Sequence, residues 1–169
     1  RVSPDEIVRF VPGTTVATNA VIEAKGAKIG LLATVGFKDV LEIGRQMRHK
    51  VYDLVLKPET PVFLAPGALR KEVQERVTAT GDVLVALDES SVVRAVDELV
   101  AEGVEAIAVS YLFSFLNPVH ERRIATALRE AFPGIFVSVS SEVQPEFREF
   151  ERFSTTLINA FLQPEVSRY

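Results

Sequence analysis

The 169-residue chain is 47% hydrophobic with a mean hydropathy of +0.18, enough apolar material for one large domain or two small ones with a real core. A formal net charge of −4, a pI near 5.3 and no run of like charge exclude a global attraction to nucleic acid or anionic membranes. The lack of cysteine excludes a disulfide framework, thiol catalysis and thiolate metal sites, and agrees with a reducing, cytoplasmic setting. The apolar runs Ile29 to Val35 and Val104 to Phe115 are too short or too interrupted to span a membrane. Opening on Arg1, without a signal peptide, the sequence reads as a region of something longer.

In chain order, Ile7 to Val11 alternates and predicts a strand. Gly13-Thr14-Thr15-Val16-Ala17-Thr18-Asn19-Ala20 then sets a glycine and clustered hydroxyls at a strand-to-helix junction, where free backbone N–H groups face an anion or polar ligand. Thr14 or Thr15 can cap a helix whose stripe Val16, Ala20, Val21, Ala24 stops at Gly26. A plain N-cap and a ligand-binding mouth both fit this segment. Lys28 to Thr34 predicts a buried strand, completing a βαβ unit, and Phe37, Val40, Leu41 and Ile43 give a short helical face. The basic stretch Arg45, Arg48, His49, Lys50 either complements that helix's C-terminal dipole or binds an anion.

Residues 51–87 are punctuated by Pro58, Pro61, Pro66 and Gly67, and predict an insert ending in a hairpin, with strands Glu72 to Val77 and Val83 to Leu87 around Thr80-Gly81-Asp82. Asp88 caps a helix carrying Val92, Val93, Val96, Leu99 and Val100 on one face, stopped at Gly103 and followed by the strand Val104 to Ser110. Asn117-Pro118 opens a further helix with the stripe Ile124, Ala127, Leu128, Ala131, and Ile135 to Val139 is the next strand. Helical spacing of Phe147, Phe150, Phe153, Leu157 and Phe161 predicts a last helix over Glu146 to Phe161, its phenylalanines in the core. The alternation predicts an α/β fold with a mainly parallel or mixed sheet, covered by helices, plus a small antiparallel insert.

No Walker loop or dinucleotide GxGxxG is present, and His49 and His120 lack metal-ligand spacing, so no metal site is expected. His120, within His120-Glu121-Arg122-Arg123, reads as a solvated surface residue. Arg152 with Glu149 and Arg148 with Glu151 read as surface pairs three apart. Glu142 and Glu146, just beyond a strand's C-terminal end, are candidates for acid/base work or ligand binding.

Gly13-Thr14-Thr15-Val16-Ala17-Thr18-Asn19-Ala20, Gly36-Phe37-Lys38-Asp39-Val40-Leu41-Glu42-Ile43-Gly44-Arg45-Gln46, and Ser140-Ser141-Glu142-Val143 through Pro145-Glu146-Phe147-Arg148-Glu149 together resemble the hydantoinase A/5-oxoprolinase family. Leu112-Phe113-Ser114 to Asn117-Pro118 with His120-Glu121, and Glu151-Arg152 with Ser154-Thr155-Thr156 and Asn159-Ala160, extend the resemblance over essentially all of residues 1–169, as an N-terminal region. The resemblance implies an actin-like, ribonuclease-H-like ATPase architecture and ATP-dependent opening of a cyclic amide such as hydantoin, N-methylhydantoin or 5-oxoproline. It further implies ATP with Mg and a hydantoinase B-type partner. Related members implied by the same motifs are ATP-using subunits of acetone and acetophenone carboxylases, and a non-catalytic assembly module docking through Val51 to Leu64 is a third expectation. Within this frame Gly13, Thr14, Thr15, Thr18 and Asn19 line the cleft, Arg45 binds an anionic group, and Glu142 and Glu146 orient substrate or act as acid and base. Two departures are visible: Pro12 stands where the family tends to carry histidine, and the family's glycine- and threonine-rich phosphate hairpin is not among these residues.

Overall fold

The computed structural model describes residues 15–45 and 64–167. The predicted strand Ile7 to Val11, the residues Gly13 and Thr14, the basic residues Arg48, His49 and Lys50, and Val51 to Val62 of the insert lie outside the described residues. Strands β1 (Ile29–Thr34), β2 (Arg70–Val73), β5 (Ala106–Ser110) and β6 (Phe136–Val139) form one parallel sheet in the order β2-β1-β5-β6. β3 (Arg76–Val77) and β4 (Val83–Val85) form a separate antiparallel hairpin around Gly81. The expected antiparallel insert is thus real but smaller than its sequence range, because Arg70 to Val73 leaves it to become an edge strand of the main sheet.

Alternation along each strand divides the core into two layers. Leu32, Ile107, Val109, Val137 and Val139 face α3 (Glu89–Ala101) and α4 (Val119–Ala131), while Ile29, Leu31, Ala33, Ala106 and Ala108 face α6 (Glu149–Ser167). The helices α1 (Val16–Ile22) and α2 (Val40–Ile43) pack against α6 on that second face. Both central strands are buried along their length, the pattern expected of a sheet covered on two sides. Val93, expected on the apolar face of α3, is exposed instead.

The helix ends follow local chemistry. Asp88 accepts from Ser90 N–H at 3.0 Å and caps α3 as expected, and Gly103 takes the left-handed φ of 72° that closes it. α1 ends earlier than the glycine signal predicts. Ala24 occupies the left-handed position at φ 52°, with Lys25 N–H bonded to Ala20 C=O at 2.9 Å and Ala24 N–H to Val21 C=O at 3.2 Å. Glycine is therefore the better residue at 24, and Ala24→Gly is expected to raise stability by about 1 kcal/mol in urea unfolding. Gly26 serves packing instead: a Cβ there would lie 2.6 Å from the Phe161 ring and from its carbonyl oxygen. Gly26→Ala is expected to cost about 1–3 kcal/mol by pushing α1 off α6, read by the same unfolding experiment.

Candidate functional site

The connection leaving β1 runs through α2 on the α6 side, whereas β5 leads into α4 on the opposite side. The carboxyl ends of these adjacent strands therefore form a topological switch point, the usual ligand crevice of an open α/β sheet. Buried polar side chains collect there. Thr34 closes β1 at 0% exposure, and its hydroxyl is bonded to the carboxylate of Glu75, which follows β2. Glu75 in turn meets His120 Nδ1 at 2.7 Å, and Thr34 Oγ1 accepts the Leu112 N–H at 2.8 Å. His120 lies in the first turn of α4 and is 7% exposed, so the expectation of a solvated histidine is corrected: its ring points inward onto a carboxylate far away in sequence.

The neighbouring Glu121 is fully buried and accepts three hydrogen bonds, from Tyr111 N–H at 2.8 Å, Ser140 Oγ at 2.7 Å and Ser141 N–H at 2.8 Å. Ser140 Oγ also meets Ser114 Oγ at 2.9 Å. From the opposite face, the buried guanidinium of Arg152 donates to Tyr111 C=O at 2.9 Å and Glu146 C=O at 3.2 Å, and lies over the Phe115 ring at 5.3 Å. Burial pulls the Arg152 pKa down, opposed by the Glu149 and Glu121 carboxylates. The surface-pair expectation for Arg152 is thereby corrected, Glu149 being a distant partner at 3.9 Å. Nor does Arg148 hold Glu151 among the described residues: Arg148 stacks on Phe147 and Glu151 pairs with Arg45.

The hydroxyl of Tyr111 is buried without a hydrogen-bond partner among the described residues. Burial first, then the Glu75 and Glu121 carboxylates, raise its pKa well above the ordinary value. The phenol stays neutral in the folded state while an unfolded tyrosine ionises near pH 10, so its contribution is complete below that pH and is lost as pH rises beyond it. Tyr111→Phe is expected to hold or raise stability by up to about 1 kcal/mol at neutral pH and to blunt the alkaline loss, measurable by urea unfolding at two pH values.

The residues singled out from sequence fall differently. Thr15, Thr18 and Asn19 lie exposed on α1, where Thr15 makes no side-chain cap and instead accepts from Asn19 Nδ2 at 3.4 Å. Arg45 lines an open cleft of about 480 Å³ with Val40, Gly44, Arg148, Glu149, Phe150 and Glu151. Glu142, on the short helix α5 (Ser140–Val143), pairs with Arg129 of α4 at 3.0 Å, and Glu146 is exposed with its carbonyl held by Arg152. Arg45 and Glu142 are thus held by different partners on different elements. Phe153 is core as expected, Phe150 packs beside it, and Phe147 is 65% exposed rather than buried. Glu75, Thr34 and Tyr111 carried no site expectation, and Glu121, read with His120 in an exposed stretch, is buried instead. Only Glu121 had a legible signal, three residues before Ile124 and seven before Leu128 on the buried stripe of α4.

A helix-covered parallel sheet with a polar network at its carboxyl ends defines an α/β domain with a candidate ligand crevice. The chain belongs to the hydantoinase/oxoprolinase N-terminal region family, whose model matches residues 1–132. It is 40% identical over 175 residues to the caprolactamase subunit alpha of Pseudomonas jessenii, covering 99% of this chain and 25% of that one. A crystal structure of the ATP-dependent caprolactamase from that organism superposes with a TM-score of 0.81 at 40% identity over 93% of this chain and 23% of that chain. It is also 31% identical to the 5-oxoprolinase of Saccharomyces cerevisiae, covering 93% of this chain and 14% of that protein. The nucleotide-free acetone carboxylase structure gives a TM-score of 0.77 at 26% identity, over 90% of this chain and 23% of that one. The chain thus spans a quarter or less of the length of these relatives. Among the described residues no helix is long and apolar enough to cross a membrane, and no three His, Cys, Asp or Glu side chains gather as metal ligands.

Proposed function

We propose that this chain is the N-terminal region of a longer, cytoplasmic, ATP-dependent amidohydrolase with an actin-like architecture that opens a cyclic amide of the hydantoin, N-methylhydantoin or 5-oxoproline kind. The observation that carries the reading is the buried network at the switch point between β1 and β5, within a fold closely similar to an ATP-dependent caprolactamase. Transfer of the γ-phosphoryl group to the amide oxygen, releasing ADP, converts a poor electrophile into an imidate ester. Water then attacks its carbon, the ring C–N bond breaks with the nitrogen taking up a proton, and a second water hydrolyses the resulting acyl phosphate to carboxylate and free phosphate. Such chemistry needs positioning and charge stabilisation more than covalent help from the protein.

Arg45, on an open cleft, suits a phosphate or carboxylate, and Gly13, Thr14, Thr15, Thr18 and Asn19 are assigned to binding nucleotide or substrate. Glu142 and Glu146 are assigned to orienting substrate or to acid/base work. ATP, carried with Mg, brings the activating phosphoryl group; among the described residues no three His, Cys, Asp or Glu side chains gather to hold the metal by themselves. A hydantoinase B-type partner completes the assembly in this reading, supported by a relative named as a subunit.

Kinetics on the full polypeptide with its partner test the assignment. Asn19→Ala and Glu142→Ala are each expected to lower cyclic-amide-stimulated ATP hydrolysis on the order of 10–100-fold. Turnover unchanged by both substitutions removes these residues from the site. The likeness to acetone carboxylase favours a second reading, a ketone-activating carboxylase subunit. Bicarbonate-dependent ATP hydrolysis with acetone or acetophenone, and silence with cyclic amides, selects it.

A further inference from the structure

We propose that the adjacent side chains His120 and Glu121 are positioning residues: together they clamp the backbone that leaves β5 at the switch point, so that the loop 111–114 meets the reacting ligand in one geometry. The inference rests on the functional reading above. Three backbone groups in succession are held by side chains. Tyr111 N–H goes to Glu121, Tyr111 C=O to Arg152, and Leu112 N–H to Thr34. Thr34 is itself fixed by Glu75, and Glu75 by His120, so one turn of α4 acts twice on the same loop, once directly and once through β1.

The arrangement is costly as mere architecture. Glu75, Glu121 and Arg152 are each no more than 1% exposed, and buried ionisable networks give little stability over an apolar core of the same volume. What such a network supplies is a fixed direction for each polar group. The very next residue, Phe113, holds a left-handed φ of 56°, and Ser114 is pinned by Ser140, which Glu121 also holds. A backbone conformation unfavourable to a bulky side chain persists only where its surroundings impose it. The loop lies at the carboxyl edge, where ligands of open α/β sheets bind.

The test uses the full polypeptide below the melting temperature of each variant. Thr34→Val keeps the shape but removes the hydroxyl that links Glu75 to the Leu112 amide. It is expected to lower kcat for cyclic-amide-stimulated ATP hydrolysis on the order of 10–100-fold, while KM for ATP stays within about threefold. Thr34→Ser restores the hydroxyl and is expected to restore kcat. Thr34→Val with wild-type kcat per folded molecule overturns the clamp, whatever its melting temperature. Should the wild type show no cyclic-amide-stimulated hydrolysis, the functional reading fails, and amide exchange of residues 111–114 with MgATP decides the clamp. Protection gained on adding MgATP, lost in Thr34→Val and kept in Thr34→Ser, sustains it; a segment that ignores MgATP overturns it.

Discussion

Replacing Glu121 by alanine is expected to destabilise the fold by about 3–5 kcal/mol, because one truncation strands the Tyr111 and Ser141 amides and leaves the Ser140 hydroxyl with Ser114 alone. Each buried donor left without an acceptor costs about 1–3 kcal/mol, and the emptied volume adds to it. Denaturant unfolding of the variant reads the loss as a shift in midpoint at constant slope. Glu121→Gln retains one oxygen that can accept two of the three bonds, so it is expected to lose about half as much. A loss below about 1 kcal/mol for the alanine variant contradicts the geometry, since it requires water to reach a residue that is 0% exposed.

Arg152→Ala carries the second large expected effect, also about 3–5 kcal/mol. The side chain bridges two backbone carbonyls on separate segments, Tyr111 at the end of β5 and Glu146 ahead of α6, and covers the faces of Phe115 and Phe153. Truncation opens a cavity, removes the Glu146 oxygen's side-chain donor and leaves Tyr111 C=O with only the Ser114 N–H at 3.3 Å. Lysine offers a point charge in place of a planar fork, so Arg152→Lys is expected to recover less than half of the loss. The comparison separates geometry from charge: near-complete rescue by lysine shows that positive charge alone suffices. Because Arg152 and Glu121 act on the same residue, their double substitution is expected to be non-additive.

The parallel sheet was legible because its strands are short apolar runs set between strong helix signals, such as Asp88 ahead of α3 and Gly103 behind it. β2 was harder. Arg70-Lys71-Glu72 is charged because it lies at the sheet edge, and a charged edge strand followed closely by Arg76-Val77 reads as one hairpin arm. The stop of α1 was misplaced since Gly26 is demanded by a contact with Phe161, a residue far along the chain, while Ala24 takes the left-handed turn without advertising it. The candidate site hid for the same reason. His120 looked solvated among Glu121, Arg122 and Arg123, yet its partner Glu75 belongs to a different element altogether. Charge runs describe a helix's average face, and two of these charged or polar residues point the other way because α4 turns its first-turn stripe onto the sheet.

Strand order also governs how the chain is made. β1 emerges early in synthesis, but its neighbours are β2 and β5, so Leu31 waits for Arg70 on one side and for Ala108 on the other. At about 5–20 residues per second, translation leaves this strand, buried along its whole length in the folded sheet, without its second partner for roughly 4–15 seconds. Nascent Ile29 to Thr34 is therefore open to chaperone capture or mispairing until it pairs with β5.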